Sequence, residues 1–269
     1  MNVKKIFWTI IAFIIVGIYI FPVYWIYLTA FKDRATLFEL PPKFIFTPVW
    51  DNFDELMRYN ALQAVVNSVI VTSISILVSL LIGFLAAYGL SRYKYPGKNL
   101  MLFYIISTRM MPPIVFIIPI YMMFSYLGMK GTYLSMILFY IGVTLPFAVW
   151  MSKTFIDEIS IEIDQAAQLD GFTTIDFFRK ILIPMIAPGL VAVLVFSLIT
   201  VWNEFLMANI LSDPFTRPAS VALANIRGER GFNWGRVAAL ELIYTIPVII
   251  LIFLIQKYLV RGLTLGVVR

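Results

Sequence analysis

Residues 59–91 read YNALQAVVNSVIVTSISILVSLLIGFLAAYGLS, and this run contains no charged residue. A helix of about 20 apolar residues crosses the ~30 Å hydrocarbon core of a membrane. The run exceeds that length, so it predicts a transmembrane helix with some flanking or tilted helix added. The solvent of this protein is therefore expected to be partly lipid.

The composition of the whole chain points to the same class. Of the 269 residues, 61% are hydrophobic and 13% are charged, and the mean hydropathy is +0.90. A soluble domain is about 45–50% apolar and about 25% charged, so an ordinary cytosolic enzyme, a disordered chain and a fibrous repeat are excluded. The net charge of +6 is scattered between apolar runs, which indicates loop and membrane-interface charges rather than nucleic-acid binding.

Five further apolar runs are long enough to cross a membrane. The six predicted spans cover about 6–31, 65–91, 100–126, 131–152, 184–211 and 237–256. They predict an all-α membrane protein with six transmembrane helices, in a single transmembrane domain over residues 1–269. The first run is too long for a signal peptide and no cleavage site of small residues follows it, so it is interpreted as an uncleaved helix.

The positions of the basic residues favour a cytoplasmic N-terminus. Lys4 and Lys5 precede the first span, and Arg92, Lys94 and Lys98 lie in the short loop after the second span. Cytoplasmic loops are enriched in Lys and Arg. Because the number of spans is even, both termini are expected to be cytoplasmic.

Several kinds of chemistry are excluded by residues that the chain lacks. The chain contains no Cys and no His, which removes disulfides, thiolate and imidazole metal sites and Ser-His-Asp catalysis. Its only Gly-Lys pair, Gly97-Lys98, lacks the glycine-rich P-loop pattern that binds ATP phosphates. We therefore expect no catalytic residue, no metal site and no cofactor bound by this chain, which is not expected to be an enzyme.

The stretch from Ile163 to Pro184 reads IDQAAQLDGFTTIDFFRKILIP, within the predicted cytoplasmic loop 153–183. It predicts a helix over residues 161–169 and a second amphipathic helix, joined where Gly171 adopts a positive φ. Ala166 and Ala167 give a flat patch that another backbone can approach. Two interpretations remain open: the unit docks into a groove on a partner, or it rests on the membrane surface.

This stretch resembles the EAA motif of ABC-importer permeases, which is Glu-Ala-Ala, three residues, Gly and a downstream Pro. Ala166, Ala167, Asp170, Gly171 and Pro184 match the pattern, and Gln165 stands where the family usually has Glu. Further likeness to the carbohydrate-uptake branch of maltose-permease-G-like subunits comes from Leu145-Pro146-Phe147, Trp202-Asn203 and the tail Val260–Gly266.

The resemblance implies a type I ABC importer permease fold in the inner membrane. It implies that the chain forms half of a pathway for a sugar and pairs with a second homologous permease, two ABC ATPase subunits and an extracytoplasmic solute-binding protein. ATP and Mg would be bound by the ATPase subunits. The coupling loop would dock into an ATPase cleft through Gln165, Ala166, Ala167, Asp170, Gly171, Phe172 and Pro184.

Polar residues within the spans are candidates for lining the pathway: Arg109, Trp202, Asn203 and Glu204. Ionisable residues deep in a membrane are costly and usually face protein or a water-filled cavity. Arg109 is equally a candidate structural partner for a carboxylate or for free carbonyls, and Trp202 a candidate interface anchor. A stripe of small residues on the second span (Ser75, Ser79, Gly83, Ala87 and Ser91) predicts close helix packing, with a hydroxyl-lined pathway as the second interpretation.

Two other function classes remain as alternatives. A secondary transporter or channel would act without an ATPase, and it would need paired ionisable residues within the membrane. Only Arg109 lies deep in a predicted span, which favours the importer. A membrane scaffold without transport is the third reading.

Overall fold

The computed structural model describes residues 3–58, 60–226 and 233–264, which form helices and no β-strand. The α-helices are α1 (Val3–Ala30), α2 (Arg34–Leu37), α3 (Asp51–Arg58), α4 (Ala61–Arg92), α5 (Lys98–Ser107), α6 (Ile117–Tyr126), α7 (Tyr133–Asp157), α8 (Ile161–Leu169), α9 (Thr174–Phe177), α10 (Ile183–Trp202), α11 (Leu206–Leu211), α12 (Ala219–Asn225) and α13 (Trp234–Thr264). By length and apolar composition, five straight helices suffice to cross a membrane, and a bent pair makes a sixth candidate.

The centre of the fold is the packing of α4 against α7, and it uses the predicted stripe of small residues. Ser75, Ser79 and Ala87 are buried on this face. The hydroxyls of Ser79 and Thr144 lie 2.5 Å apart. A Cβ built on Gly83 would lie 2.6 Å from the Cβ of Ala148, so the two backbones approach more closely than any side chain at this position allows. The close-packing prediction is confirmed.

The two ends of α4 contact different parts of the chain. Near its start, the Asn67 amide donates to the carbonyls of Phe215 and Arg217, each at 2.9 Å, and this defines the Asn67 end of the bundle. Near its finish, Arg92 reaches Asp164 of α8, which defines the Asp164 end. The loops therefore lie in two groups, one at each end of the bundle.

Helices α1 and α13 pack against each other and are antiparallel. The end of α1 and the start of α13 are joined through α3, where the Asn52 amide donates to the carbonyls of Ala30 and Lys32, each at 2.9 Å. The same Asn52 side chain fills the space beside Gly235. This junction is at the Asn67 end, so the described start of α1 and the described end of α13 both lie at the Asp164 end.

The prediction of one helical span over residues 100–126 is wrong in one respect. Helices covering Lys98–Met110 and Pro113–Tyr126 are bent by 91° relative to each other. The break falls at Met111, which is extended (φ −81°, ψ 127°). A residue before proline is disfavoured in the α conformation and proline itself lacks an N–H donor, so Pro112 and Pro113 together interrupt the helix.

The predicted fifth span, 184–211, is also displaced. The continuous helix runs over Thr174–Trp202, because α9 passes into α10 through a π-helical turn, Phe178–Leu182. Pro184 lies in the first turn of α10, where a missing N–H is tolerated, so it does not end the preceding helix. Residues 206–211 form the separate helix α11.

The bounds of the other four spanning helices differ from the predicted spans by between one residue and about two turns. One feature named from the sequence lies partly outside the described residues, since Leu265 and Gly266 belong to the C-terminal tail Val260–Gly266.

Candidate coupling loop and pathway

Helix α8 and the start of α9 are set by local hydrogen bonds. The Ser160 hydroxyl accepts from the Glu162 N–H at the start of α8 (3.3 Å). At its end, the N–H groups of Gly171 and Phe172 donate to the carbonyls of Gln168 (3.1 Å) and Ala167 (3.0 Å). Together these form a Schellman motif, which needs a left-handed residue at its turn. Gly171 supplies it with a φ of +79°, so the predicted pair of helices joined at this glycine is found.

The motif residues divide between two faces of α8. Ala167 is 4% exposed and packs with Phe84, Ile156 and Phe177 in one core cluster. Ala166 points outward, so the flat patch predicted from the two alanines does not exist as a pair. The reason is the helical repeat, because consecutive residues lie about 100° apart around the axis.

The outward face of this unit is nevertheless well suited to a partner. Its exposed members are Gln165, Ala166, Asp170, Gly171 and Phe172. They are joined by Leu169, which is 89% exposed, and Ile175, which is 78% exposed. Large apolar side chains exposed beside polar ones mark an interaction surface. Leu169 is absent from the motif pattern, and only its exposure in the structure identifies it as part of this surface. Pro184 is exposed in the first turn of α10.

Asp164, the residue before the motif, makes side-chain hydrogen bonds to two residues of α4. The Asp164 carboxylate accepts from the Arg92 guanidinium through two hydrogen bonds, at 3.0 Å from Nε and 2.9 Å from Nη2. It also accepts from the Tyr88 hydroxyl at 3.1 Å. Asp164 precedes Ala167 by three residues and so shares its buried face. That spacing places Asp164 on the buried face of α8, but it does not identify Arg92 as its partner.

Arg109 lies in the 3₁₀ turn Thr108–Met110, at the break between α5 and α6. Its Nη2 is 3.5 Å from the Val143 carbonyl, and its guanidinium carbon lies 5.0 Å from the centre of the Phe147 ring. Among the described residues no carboxylate is within ion-pair distance of Arg109. The carboxylate partner considered from the sequence is therefore not found within the described chain.

Arg109 also lines a cavity of about 590 Å³ between the broken helix and α7. Its walls are mainly apolar and aromatic, with one hydroxyl from α10: Thr108, Met111, Phe116, Phe139, Val143, Pro146 and Thr200. Met111, at the bend between the two helices, is one of the residues that line this space. Arg109 is thus the one candidate pathway residue that borders this cavity.

Trp202 and Glu204 make contacts inside the chain. Trp202 is buried, and its ring stacks on that of Tyr244 with centroids 4.7 Å apart and an interplanar angle of 15°. The Glu204 carboxylate accepts from the Tyr140 hydroxyl (2.7 Å) and from the N–H groups of Met207 (2.9 Å) and Ala208 (3.0 Å). Glu204 therefore caps the start of α11, where free N–H groups and the helix dipole favour a carboxylate.

Asn203 sits between these two residues and is exposed. Its side-chain amide donates to the Ile199 carbonyl of its own helix, at 3.0 Å. It borders a separate cavity of about 420 Å³ with Phe205, Glu241 and Tyr244. The three consecutive residues thus face three different surroundings.

We expect Glu204→Ala to lower the free energy of unfolding by about 1–3 kcal/mol, because it removes a helix cap and leaves buried donors unpaired. Thermal unfolding of the purified protein in detergent measures the change. Glu162→Ala, at an exposed position, is the matched control and should unfold like the wild type. Wild-type unfolding of Glu204→Ala together with lost transport would instead assign Glu204 to the pathway.

Comparison with known proteins agrees with this architecture. A family model described as "Binding-protein-dependent transport system inner membrane component" matches residues 79–265. The chain belongs to this family. The described helices, the exposed outward face of the α8–α9 unit and the family together make it a permease subunit of an ABC importer with a type I importer fold, located in the inner membrane. ATPase activity resides in partner subunits of such importers, so the expectation that the chain is not an enzyme is confirmed.

Individual relatives cover almost the whole permease. The probable ABC transporter permease protein y4oR of Sinorhizobium fredii is 33% identical over 99% of this chain and 96% of its own. The trehalose transport system permease protein SugB of Mycobacterium tuberculosis is 31% identical over 99% of this chain and 98% of its own. A bacterial ABC transporter that imports the acidic polysaccharide alginate contains a chain with the same fold (TM-score 0.76, 20% identity, 96% of this chain and 99% of that one).

Proposed function

We propose that this permease forms half of the translocation pathway of a sugar importer and pairs with a second, homologous permease. The α8–α9 unit carries the proposal, because it presents an exposed apolar and polar surface at one end of the bundle in a chain that has no P-loop. A protein that performs ATP-driven transport without binding ATP must receive motion from another subunit. Similarity to a permease named for trehalose supports a sugar as the solute.

The partners follow from the same surface. Two ABC ATPase subunits would bind ATP and Mg, and one of them would receive Gln165, Ala166, Asp170 and Phe172 in a surface cleft, with Leu169 as the apolar anchor. Ala167 supports the unit from behind. This chain itself would bind no cofactor and no metal. An extracytoplasmic solute-binding protein would deliver the sugar to the Asn67 end.

This assembly also assigns the orientation in the membrane. The ATPase subunits are cytoplasmic, so the Asp164 end is cytoplasmic. The described ends of α1 and α13 lie at that end, as does the loop containing Arg92, Lys94 and Lys98. The positive-inside rule supports the same orientation, in which both termini would be cytoplasmic.

We propose that Arg109 lines the pathway, on the wall that this chain contributes. The cavity that it borders combines aromatic rings with a guanidinium and hydroxyl groups. Such a surface contacts both the C–H faces and the hydroxyls of a sugar. The second permease would close the opposite side.

We expect Arg109→Gln to reduce sugar uptake by about tenfold or more, because a hydrogen bond to a charged group contributes about 1.5–3 kcal/mol. Uptake into proteoliposomes containing the assembled complex measures the loss. Lys43→Gln removes a cation from an exposed surface pair and should leave uptake unchanged. Equal uptake by both variants would exclude Arg109 from the pathway.

Co-purification tests the assembly itself. The tagged permease, expressed with the proteins encoded beside it, should retain ATPase subunits and a second permease in mild detergent. Reconstituted complexes should take up sugar only with ATP and a binding protein. Solute flux through the permease without any ATPase would favour a secondary transporter or channel instead.

A further inference from the structure

The polar cluster of Tyr88, Arg92 and Asp164 joins the proposed coupling helix to the second membrane span. The Arg92 and Asp164 side chains are only 9% and 7% exposed, and the guanidinium meets both carboxylate oxygens. Two parallel hydrogen bonds fix an orientation as well as a distance. A lysine in place of Arg92 would provide the charge without this geometry.

Apolar packing surrounds the cluster on the side of the bundle. The ring centroids of Tyr88 and Phe178 lie 4.7 Å apart. Ala87 and Ala167 are buried in the core cluster against which both rings pack. Water is therefore largely excluded, and an ionic contact in such surroundings is stronger than one at a surface. Movement of α8 away from α4 would separate these charges.

Two other ion pairs in the same loop differ from the Arg92–Asp164 pair, because each lies within a single helix. Lys180 and Asp176 form a pair whose side chains are 61% and 40% exposed. Lys153 and Asp157 form a second pair, whose side chains are 16% and 44% exposed. Both pairs are four residues apart on one helix, so neither joins separate elements. Pairs four residues apart on one helix contribute little to stability when they are exposed, as the Lys180–Asp176 pair is. Among the ion pairs at this end of the described chain, only the Arg92–Asp164 pair connects α8 to a span.

The contacts continue from the cluster to the cavity. One turn after another, α4 packs on α7 through Ala87, Gly83 and Ser79, and α7 contributes Gly142, Val143 and Pro146 to the cavity wall. A displacement applied to the outward face of α8 thus has a rigid connection to the pathway. Because the small residues leave no space between α4 and α7, the two helices must move together.

We propose that Arg92 and Asp164 are positioning residues that transmit the displacement of the coupling helix to α4, so that ATP-driven motion of α8 moves the cavity wall. This inference rests on the proposed function, since it presumes an ATPase that displaces α8. The Tyr88 hydroxyl donates to Oδ2 of Asp164, the same oxygen that accepts from Arg92 Nε, and so helps to fix the carboxylate.

The test uses the assembled importer and a pair of spin labels. The chain has no native cysteine, so cysteines placed at the exposed positions Leu85 on α4 and Glu162 on α8 can be labelled selectively. The distance distribution between the labels reports whether α8 stays fixed to α4. Sugar uptake and ATP hydrolysis are measured on the unlabelled complexes. Asp164→Asn is the main variant, and Asp176→Asn is the matched control from the exposed pair.

We expect the wild type and Asp176→Asn to give one narrow distance distribution and the same uptake per ATP hydrolysed. Asp164→Asn should broaden the distribution and lower uptake per ATP by at least about fivefold, the lower range of a coupling free energy. Arg92→Lys, which retains the charge, should give an intermediate result. If Asp164→Asn does not accumulate in the membrane, the same measurements on Arg92→Lys decide the outcome.

Narrow distributions and wild-type uptake per ATP in both Asp164→Asn and Arg92→Lys would overturn the inference while leaving the proposed function intact. Failure of the proposed function is seen separately, as a wild-type permease that retains no ATPase and shows no ATP-dependent uptake. The distance measurement on the wild type and the variants still decides whether the ion pair fixes α8.

Discussion

Gly83→Val is expected to prevent accumulation of folded permease in the membrane. Even the first carbon of a side chain at this position would lie 2.6 Å from the Ala148 Cβ and 3.1 Å from the Ala148 carbonyl carbon. Neither neighbour is the end of a flexible side chain, so α4 and α7 must separate. Overpacking of a core typically costs about 1–3 kcal/mol, and a clash with backbone falls at or above the top of that range.

The position of Gly83 makes the consequence larger than a local clash. Separation of the helices would also break the contact between the Ser79 and Thr144 hydroxyls one turn away. Membrane helices associate through close packing of small residues, since lipid removes the hydrophobic drive that holds soluble bundles together. The loss of contact along one seam therefore affects the whole bundle.

Expression in membranes and size-exclusion chromatography in detergent measure this outcome. Gly89→Val is the control, because a Cβ at Gly89 on the same helix meets no atom within 4 Å. The double variant Gly83→Ala, Ala148→Gly moves the methyl group from one helix to the other and should recover part of the folded protein. Normal accumulation of Gly83→Val would show that the two helices do not need this close approach.

Gly171→Val is expected to abolish sugar uptake while ATP hydrolysis by the assembled complex continues. The φ of +79° at Gly171 costs an ordinary L-residue about 1–2 kcal/mol, and a β-branched side chain tolerates it least. The turn that orients α8 relative to α9 would be lost, and with it the docking surface around Leu169 and Phe172. No atom lies within 4 Å of the added Cβ, so the effect comes from the backbone rather than from a clash.

Uptake and hydrolysis are to be measured together in proteoliposomes. Gly97→Val is a closely matched control, since Gly97 has a φ of +83° and open space around it, and it lies at the Asp164 end outside the coupling loop. It carries the same strain and should still transport. Gly171→Asn, which tolerates the left-handed conformation, should transport as well. Normal uptake by Gly171→Val would remove the coupling role from this loop.

Local features of the proposed coupling loop were predictable from the sequence because they depend on neighbours along the chain. The bounds of α8 at residues 161–169 and the turn at Gly171 follow from a helix-starting serine and a glycine with a positive φ, both short-range effects. The contact between Asp164 and Arg92 was not predictable in this way. It joins residues 72 positions apart, and nothing in the spacing of either residue identifies the other.

For the pathway candidates too, the residue types were evident from the sequence, whereas their contacts were not. Arg109, Trp202, Asn203 and Glu204 were selected as polar or aromatic residues within apolar spans. The structure places Arg109 beside a cavity, Trp202 against Tyr244 and Glu204 at the start of α11. A residue type shows that a partner is required, whereas the surrounding helices decide whether that partner is a solute, a ring or a backbone N–H group.

By itself the sequence determined the membrane class, the number of apolar runs and the helix-turn-helix of the coupling loop. These depend on hydrophobicity and on backbone preferences within a few residues. Only the tertiary structure decided that the third run bends by 91°, that α9 continues into α10, and that Asp164 joins the coupling loop to α4. The physical reason is that lipid accepts any apolar surface, so hydrophobicity selects the helices but leaves their mutual packing to the contacts between them.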